Sequence, residues 1–265
     1  MLAQLNPIAF YLLGWPVRWY GIIIATGVLV ALWLSVKEGQ RHGIDEDHFY
    51  NLLLLGIPCA LVGARGYYVI FEWSYYRQHL AEIPALWDGG IAIYGGLIGG
   101  LLLVVGYANY QHLRLATILD CLAPGILVGQ IMGRWGNFMN QEAFGAVTTH
   151  ATLVAQHLPN WLIQQMQIGG AYRTPTFLYE SLGNLVGLIL ILSLRHRQWF
   201  ETPGNVFRLY LLWYAIVRMI VEGMRTDSLM LGPIRVSQAL SVVILVVVGI
   251  NWILTAWHRH ATRKE

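Results

Sequence analysis

Charge is scarce in this sequence. Only 12% of its 265 residues are Asp, Glu, Lys or Arg, and 56% are hydrophobic, whereas ordinary soluble domains carry about 25% charged residues. A soluble domain of this size needs a charged surface, so the deficit excludes one and points to a chain that crosses a membrane several times. Lysine is nearly absent, occurring only at Lys37 and Lys264. The arginines are scattered and form no basic run, which speaks against a nucleic-acid partner and suits membrane flanks and anionic lipid head groups. The two cysteines, Cys59 and Cys121, lie far apart in apolar runs; they make neither a disulfide framework nor a metal motif and read as small packing residues. The nine histidines fall in predicted loops or tails, so no metal site is expected. The N-terminus lacks a charged region and a small-residue cleavage site, so no removable signal peptide is expected.

What is present is a series of apolar segments, each near the roughly 20 residues that span the hydrocarbon. Seven are drawn, at about 19–36, 52–71, 89–107, 117–132, 176–194, 206–221 and 236–257. The second is expected to be interrupted at Pro58 and at Gly63-Ala64-Arg65-Gly66. The expected fold is therefore all-α, a single polytopic membrane domain over 1–265 with about seven transmembrane helices. A small extracytoplasmic insert at about 145–174 is too polar and irregular to span. Loop charge sets orientation. Lys37, Arg41, Arg114, Arg195, Arg197, Arg259, Arg263 and Lys264 fall on one side, against Arg18, Arg77, Arg173, Arg225 and Arg235 on the other. This bias puts the C-terminus in the cytoplasm and the N-terminus outside. Aromatic residues such as Trp15, Trp19, Trp73 and Trp257 sit at the predicted interfaces, as a membrane belt requires.

The richest stretch is Gly133 to Gly145, Gly-Arg-Trp-Gly-Asn-Phe-Met-Asn-Gln-Glu-Ala-Phe-Gly. It places Arg134, Asn137, Asn140, Gln141 and Glu142 at the end of an apolar run. Ionisable groups at membrane depth are costly and mark function by default. The three glycines predict broken helix, which membranes accept only beside a cavity or buried in protein. Arg134 faces an anionic substrate on this reading; otherwise it pairs with Glu142 or caps carbonyls. Gly136 leaves room for a ligand to approach the backbone. Tyr214, Arg218 and Glu222 recur every four residues, which places them on one helix face. Arg218–Glu222 is either a buried structural pair or part of a site where the guanidinium grips a phosphate in bidentate fashion. Two intramembrane arginines at similar depth exceed what one structural pair needs, and they suit a phosphate ester. In Asp88-Gly89-Gly90 and Tyr94-Gly95-Gly96-Leu97-Ile98-Gly99-Gly100, small residues invite close helix packing, the preferred reading for Gly99 and Gly100. Asp88 and Tyr94 add a carboxylate and a phenol. Tyr20 ends the outer belt of the first helix. Arg65 and Glu180 are read as mostly structural ions.

These residues resemble the prolipoprotein diacylglyceryl transferase family. The Gly133–Gly145 stretch is similar to its signature without a gap. Further matches are Trp19-Tyr20-Gly21, Gly63-Ala64-Arg65, Trp87 to Gly90, Tyr94 to Gly99, Pro175 to Glu180 and Tyr214 to Arg225, in family order. The resemblance implies seven helices in the bacterial cytoplasmic membrane, with the site toward the outer leaflet. It implies transfer of the diacylglyceryl group of phosphatidylglycerol to the lipobox cysteine thiol of a preprolipoprotein signal peptide, with release of glycerol 1-phosphate. It also implies that Arg134 and Arg218 are essential, and that Tyr20, Asn137, Asn140, Glu142, Gly145 and Glu222 line the lipid cavity. Two departures stand out: Tyr94 and Thr174 occupy positions where many members have histidine.

Three needs define that chemistry. The thiol, with a free pKa near 8.5, must become thiolate; the glyceryl carbon must be open to in-line attack; and the departing phosphate needs preorganised positive charge. Arg134 and Arg218 meet the third need. Phenols ionise near pH 10, so Tyr94 is expected to hydrogen-bond substrate, with Asp88, Gly95 and Gly96 beside it, before it moves a proton. No cofactor, metal or covalent enzyme intermediate is expected, since the nucleophilic cysteine belongs to the substrate. The alternative, a small-solute transporter, should often show repeats with matching helix breaks in each half; none is found.

Overall fold

The computed structural model describes residues 5–226 and 228–262. Arg263 and Lys264, and the Arg259 side chain, lie outside them. A short hairpin, β1 (Ile8–Leu12) and β2 (Trp15–Arg18), turns through Leu13 and Gly14, both at positive φ, and runs into α1 (Trp19–Arg41). Then come α2 (Glu46–Phe71), the single-turn α3 (Trp73–Tyr76), α4 (Ile93–Tyr110) and α5 (Leu115–Asn140). The insert follows as β3 (Val147–Thr148), α6 (His150–Ala155), α7 (Asn160–Gln165), β4 (Gln167–Ile168) and β5 (Ala171–Arg173). The chain ends with α8 (Thr176–Leu194), α9 (Asn205–Glu222), the β6–β7 hairpin (Met230–Leu231, Ile234–Arg235) and α10 (Val236–Thr262). The protein is an all-α polytopic membrane protein.

Among the described residues six helices are long and apolar enough to span: α1, α2, α4, α5, α8 and α10. The expected sixth segment forms α9, of 18 residues, but Arg208, Arg218 and Glu222 take it out of that set. Two other expectations are corrected. The second segment is not interrupted: Asp45 caps its start by accepting from Asp47 N at 2.9 Å, and α2 runs unbroken through Pro58. The polar signature is not broken helix from Gly133; α5 carries it to Asn140. Gly136 gives the reason, since a side chain there would meet the Tyr20 ring at 2.9 Å. Its helical place serves close packing, not a backbone break.

The chain divides into two compact units, residues 34–121 and residues 1–33 with 122–265. In the smaller unit α2 and α4 cross through their glycines. A Cβ on Gly63 or Gly99 would strike the partner backbone at Gly95 O or Cys59 O, so only small residues allow this approach. Gly99 is a packing glycine as expected, whereas Gly100 meets nothing within 4 Å and is not. Buried Arg65 holds the connection to α4: its three nitrogens donate to the carbonyls of Glu82, Ile83, Gly89 and Gly90 at 2.7–2.9 Å. Beyond the end of α2, the Tyr75 phenol donates to Glu82 Oε2 at 2.8 Å, which favours its neutral form and raises its pKa above the usual value.

In the larger unit the insert is ordered rather than irregular. Its strands pair in the order β3-β5-β4, with Gly169 and Gly170 at positive φ in the β4–β5 turn. Leu153, Leu162, Ile163 and Met166 of the insert share one core with Phe138 of α5 and Phe177 of α8, so burying their apolar surface fixes the insert to those helix ends. A second core of Ala123, Leu127, Ile191, Val206 and Tyr210 joins α5, α8 and α9. Arg235 donates to the Glu222 carbonyl and Gln238 Nε2 to Met219 O, which hold α10 to α9.

Candidate active site

Three helices of the larger unit bring their ionisable residues together. Glu180, in the second turn of α8 and 3% exposed, lies between two guanidiniums. Arg134 Nε of α5 is 3.5 Å from its Oε1, and Arg218 Nη1 of α9 is 3.3–3.4 Å from both oxygens. Arg218 also pairs through Nη2 with Glu222 Oε2 at 2.5 Å, the i,i+4 contact anticipated from the helix face. Arg134 therefore pairs with Glu180 and not with Glu142, which is exposed and accepts from Asn140 Nδ2 at 3.3 Å.

This corrects the charge count. Two arginines do not outnumber their structural partners, because Glu180 and Glu222 balance them one for one. Their engagement is unequal, however. Among the described residues the buried Arg134 Nε–H has no hydrogen-bond partner, and its ion pair with Glu180, at 3.5 Å, is long for a charge-assisted bond of about 2.7–2.9 Å. The Arg134 side chain is 20% exposed and that of Glu180 4%. A cation that is partly open, weakly held and short of an acceptor can receive an incoming anion.

The loop after α5 is built around this point. The helix closes with Gln141 N to Phe138 O and Glu142 N to Asn137 O, the paired bonds of a Schellman cap. Such caps favour glycine, yet Gln141 sits at φ 56 and Ala143 at φ 55, each at a cost of about 1–2 kcal/mol. Thr176 Oγ1 to Ala143 O at 2.8 Å and Gln141 Nε2 to Gln165 O at 2.8 Å hold the strained loop. Gly145 bonds Thr174 O, bridges to Arg225, and would place a Cβ 2.8–2.9 Å from Thr174, Met224 and Thr176. Only glycine fits there, which is a packing reason for its place in the signature. Tyr20 lies against Gly136 in α5. Trp135 Nε1 donates to Ser181 Oγ at 3.1 Å, which sets α5 against α8 beside Glu180.

Of the residues proposed from sequence, Arg134, Arg218 and Glu222 thus meet in one ionic cluster, with Tyr20, Asn137, Asn140, Glu142 and Gly145 in the same unit. Tyr94, half-buried in the first turn of α4, and Asp88, Gly95 and Gly96 belong to the smaller unit. There Gly95 serves the α2–α4 crossing, while Gly96 makes only ordinary contacts. Glu180, read from sequence as a mostly structural ion, is the ion-pair partner of both arginines. Its signal is a carboxylate in the second turn of an apolar helix, whose partners are distant in sequence.

A multi-pass membrane fold with a strained loop and a buried, charge-balanced arginine–glutamate cluster at its helix ends defines a membrane protein with an ionic site. The chain belongs to the prolipoprotein diacylglyceryl transferase family, whose sequence model matches residues 7–255. It is 56% identical over 244 residues to the phosphatidylglycerol–prolipoprotein diacylglyceryl transferase of Limosilactobacillus reuteri, covering 92% of this chain and 89% of the relative. The enzyme of the same name from Lactobacillus delbrueckii subsp. bulgaricus is 55% identical over 254 residues, 96% and 92% of the two chains. That of Lactiplantibacillus plantarum is 53% identical over 262 residues, 98% and 92%. The chain is a membrane transferase, and the transporter alternative finds no support.

Proposed function

We propose that this protein transfers the diacylglyceryl group of phosphatidylglycerol to the lipobox cysteine thiol of a preprolipoprotein signal peptide, forming a thioether and releasing glycerol 1-phosphate. The relatives' shared name supports the donor and acceptor classes. The observation that carries the chemistry is the pair Arg134 and Arg218 converging on one carboxylate, with the Arg134 Nε–H without an acceptor among the described residues. A phosphodiester entering there replaces Glu180 as the arginines' partner. The thiolate attacks the glyceryl carbon, the carbon–oxygen bond breaks, and the second negative charge on the departing phosphate develops between two fixed cations. In a water-poor site such preorganised charge is usually the largest catalytic term. Tyr94 hydrogen-bonds substrate ahead of any proton transfer.

In this reading the protein sits in the bacterial cytoplasmic membrane with its N-terminus outside and its C-terminus in the cytoplasm. Helix α9 is the seventh span, tolerated because Arg218 and Glu222 are paired and Arg208, in its first turn, donates to Asn205 Oδ1. The site faces the outer leaflet, and the 145–174 insert is an extracytoplasmic lid that receives the extended lipobox segment. One assay tests the function: protein in liposomes with a lipobox peptide, read by the peptide's mass. A diacylglyceryl mass gain with phosphatidylglycerol, absent for a Cys→Ser peptide and in liposomes of phosphatidylcholine alone, is expected. No gain from folded protein contradicts the proposal.

A further inference from the structure

The four ionic residues fix a charge balance that the reaction must respect, and this inference rests on the transfer reading above. At rest Arg134, Arg218, Glu180 and Glu222 sum to zero. A bound phosphodiester brings one negative charge. Breaking its carbon–oxygen bond leaves a phosphate monoester with two, and the acceptor thiol must lose a proton in the same event. In a low-dielectric site a net extra charge is expensive, so the second phosphate charge is best met by neutralising a carboxylate in place. The two carboxylates are not equivalent. Among the described residues Glu222 pairs with Arg218 alone, at 2.5 Å from an Oε2 that makes no hydrogen bond, whereas Glu180 lies between Arg134 and Arg218 at 3.3–3.5 Å, the two cations that an entering phosphate takes over.

We propose that Glu180 is the proton acceptor of the transfer reaction, taking the acceptor thiol's proton as the phosphate takes over Arg134 and Arg218. The balance closes. The S–H proton moves to the Glu180 carboxylate, sulfur forms the bond to the glyceryl carbon, and the electron pair of the breaking carbon–oxygen bond goes to the phosphate. The cluster with its ligand carries one net negative charge before and after the step. The groups that face Glu180 enforce this exchange. Arg134 from α5 and Arg218 from α9 stabilise its charge at rest. Once both bind the phosphate, a second anion beside Glu180 favours the neutral carboxyl. Glu222 stays on Arg218 throughout. The same role explains how a chain with Tyr94 and Thr174, and without a histidine at either place, removes the proton.

Two measurements test this. Glycerol 1-phosphate is titrated into native protein at pH 8 in buffers of different ionisation enthalpy. Uptake of about one proton per bound ligand is expected by linkage, with the uptake lost and binding kept in Glu180→Gln. No uptake by the native protein, or an uptake unchanged in Glu180→Gln, overturns the proposal. In the liposome assay Glu180→Gln should lower turnover about 10²–10³-fold, the usual worth of a positioned base. A peptide with selenocysteine at the acceptor position, ionised without help at neutral pH, should restore turnover to within about tenfold of native. A variant that binds glycerol phosphate but is not rescued by the selenol refutes the proton role while leaving the transferase reading intact. Native protein that turns over neither acceptor refutes the transferase reading itself.

Discussion

Replacing Arg218 by methionine removes one cation from a cluster that is neutral only with both. Glu180 keeps Arg134, but Glu222, whose side chain is 1% exposed, loses its ion-pair partner at 2.5 Å. Breaking a buried pair from one side costs about 3–5 kcal/mol, because the remaining charge is left uncompensated. Arg235 stays nearby, donating to the Glu222 main-chain carbonyl, which holds the loss toward about 3 kcal/mol. For a protein of this size that is a melting temperature roughly 6–12 °C lower. Adding Glu222→Gln returns the cluster to neutrality, so the double variant should recover most of the lost stability. Activity should not recover, since the phosphate still lacks one of its two cations. Thermal melts in detergent and the lipidation assay read the two effects separately. If Arg218→Met melts like the native protein, or the double variant is no more stable than the single, the charge-balance reasoning is wrong. If the double variant regains activity, Arg218 is structural and the phosphate is held elsewhere.

Other consequences are as direct. Gly136→Ala places a Cβ 2.9 Å from the Tyr20 ring, so the ring must shift to admit it. The substitution should raise KM for lipid several-fold with a stability change under about 1 kcal/mol. Arg65→Lys keeps the charge but not the fork that reaches four carbonyls; limited proteolysis within residues 80–90 should speed up markedly, whereas unchanged cleavage contradicts the latch. Tyr94→Phe should keep turnover within about tenfold, short of the roughly 10²-fold loss expected of a general base. The Tyr75–Glu82 hydrogen bond raises the Tyr75 pKa, so its phenolate absorbance should develop at higher pH than in Glu82→Gln. The support that this bond gives the 75–82 turn is present below the unfolded-state pKa near 10 and is lost as pH rises through the raised value.

Much of this protein is legible in its sequence because a bilayer demands uninterrupted apolar runs, and those runs find each long helix among the described residues, although α2 begins at Glu46 and α5 continues to Asn140, well past the runs themselves. The signature at Gly133–Gly145 also announces itself, since Arg134 and two asparagines at membrane depth need a reason. Misreadings arose where a local rule met a tertiary constraint. Pro58 and Gly136 read as helix breaks, yet both lie inside unbroken helices, with the Tyr20 ring filling the space that Gly136 leaves. Gly145 reads as ligand-facing, and crowding by Thr174, Met224 and Thr176 accounts for it equally well. Glu180 has its partners 46 residues before it and 38 after, on other helices, so no local spacing reveals the pairing. Helical spacing finds Arg218 with Glu222 on one face; nothing in a single sequence reports that α5, α8 and α9 aim three ions at one another.

The most direct test of the transferase account uses phosphatidylglycerol labelled in its head group, in liposomes with a lipobox peptide and either native protein or Arg134→Ala. Labelled glycerol phosphate released in equal amount to the thioether formed, and abolished in a folded Arg134→Ala protein, is the predicted result. Release without thioether, or transfer that persists without the Arg134 guanidinium, would contradict it.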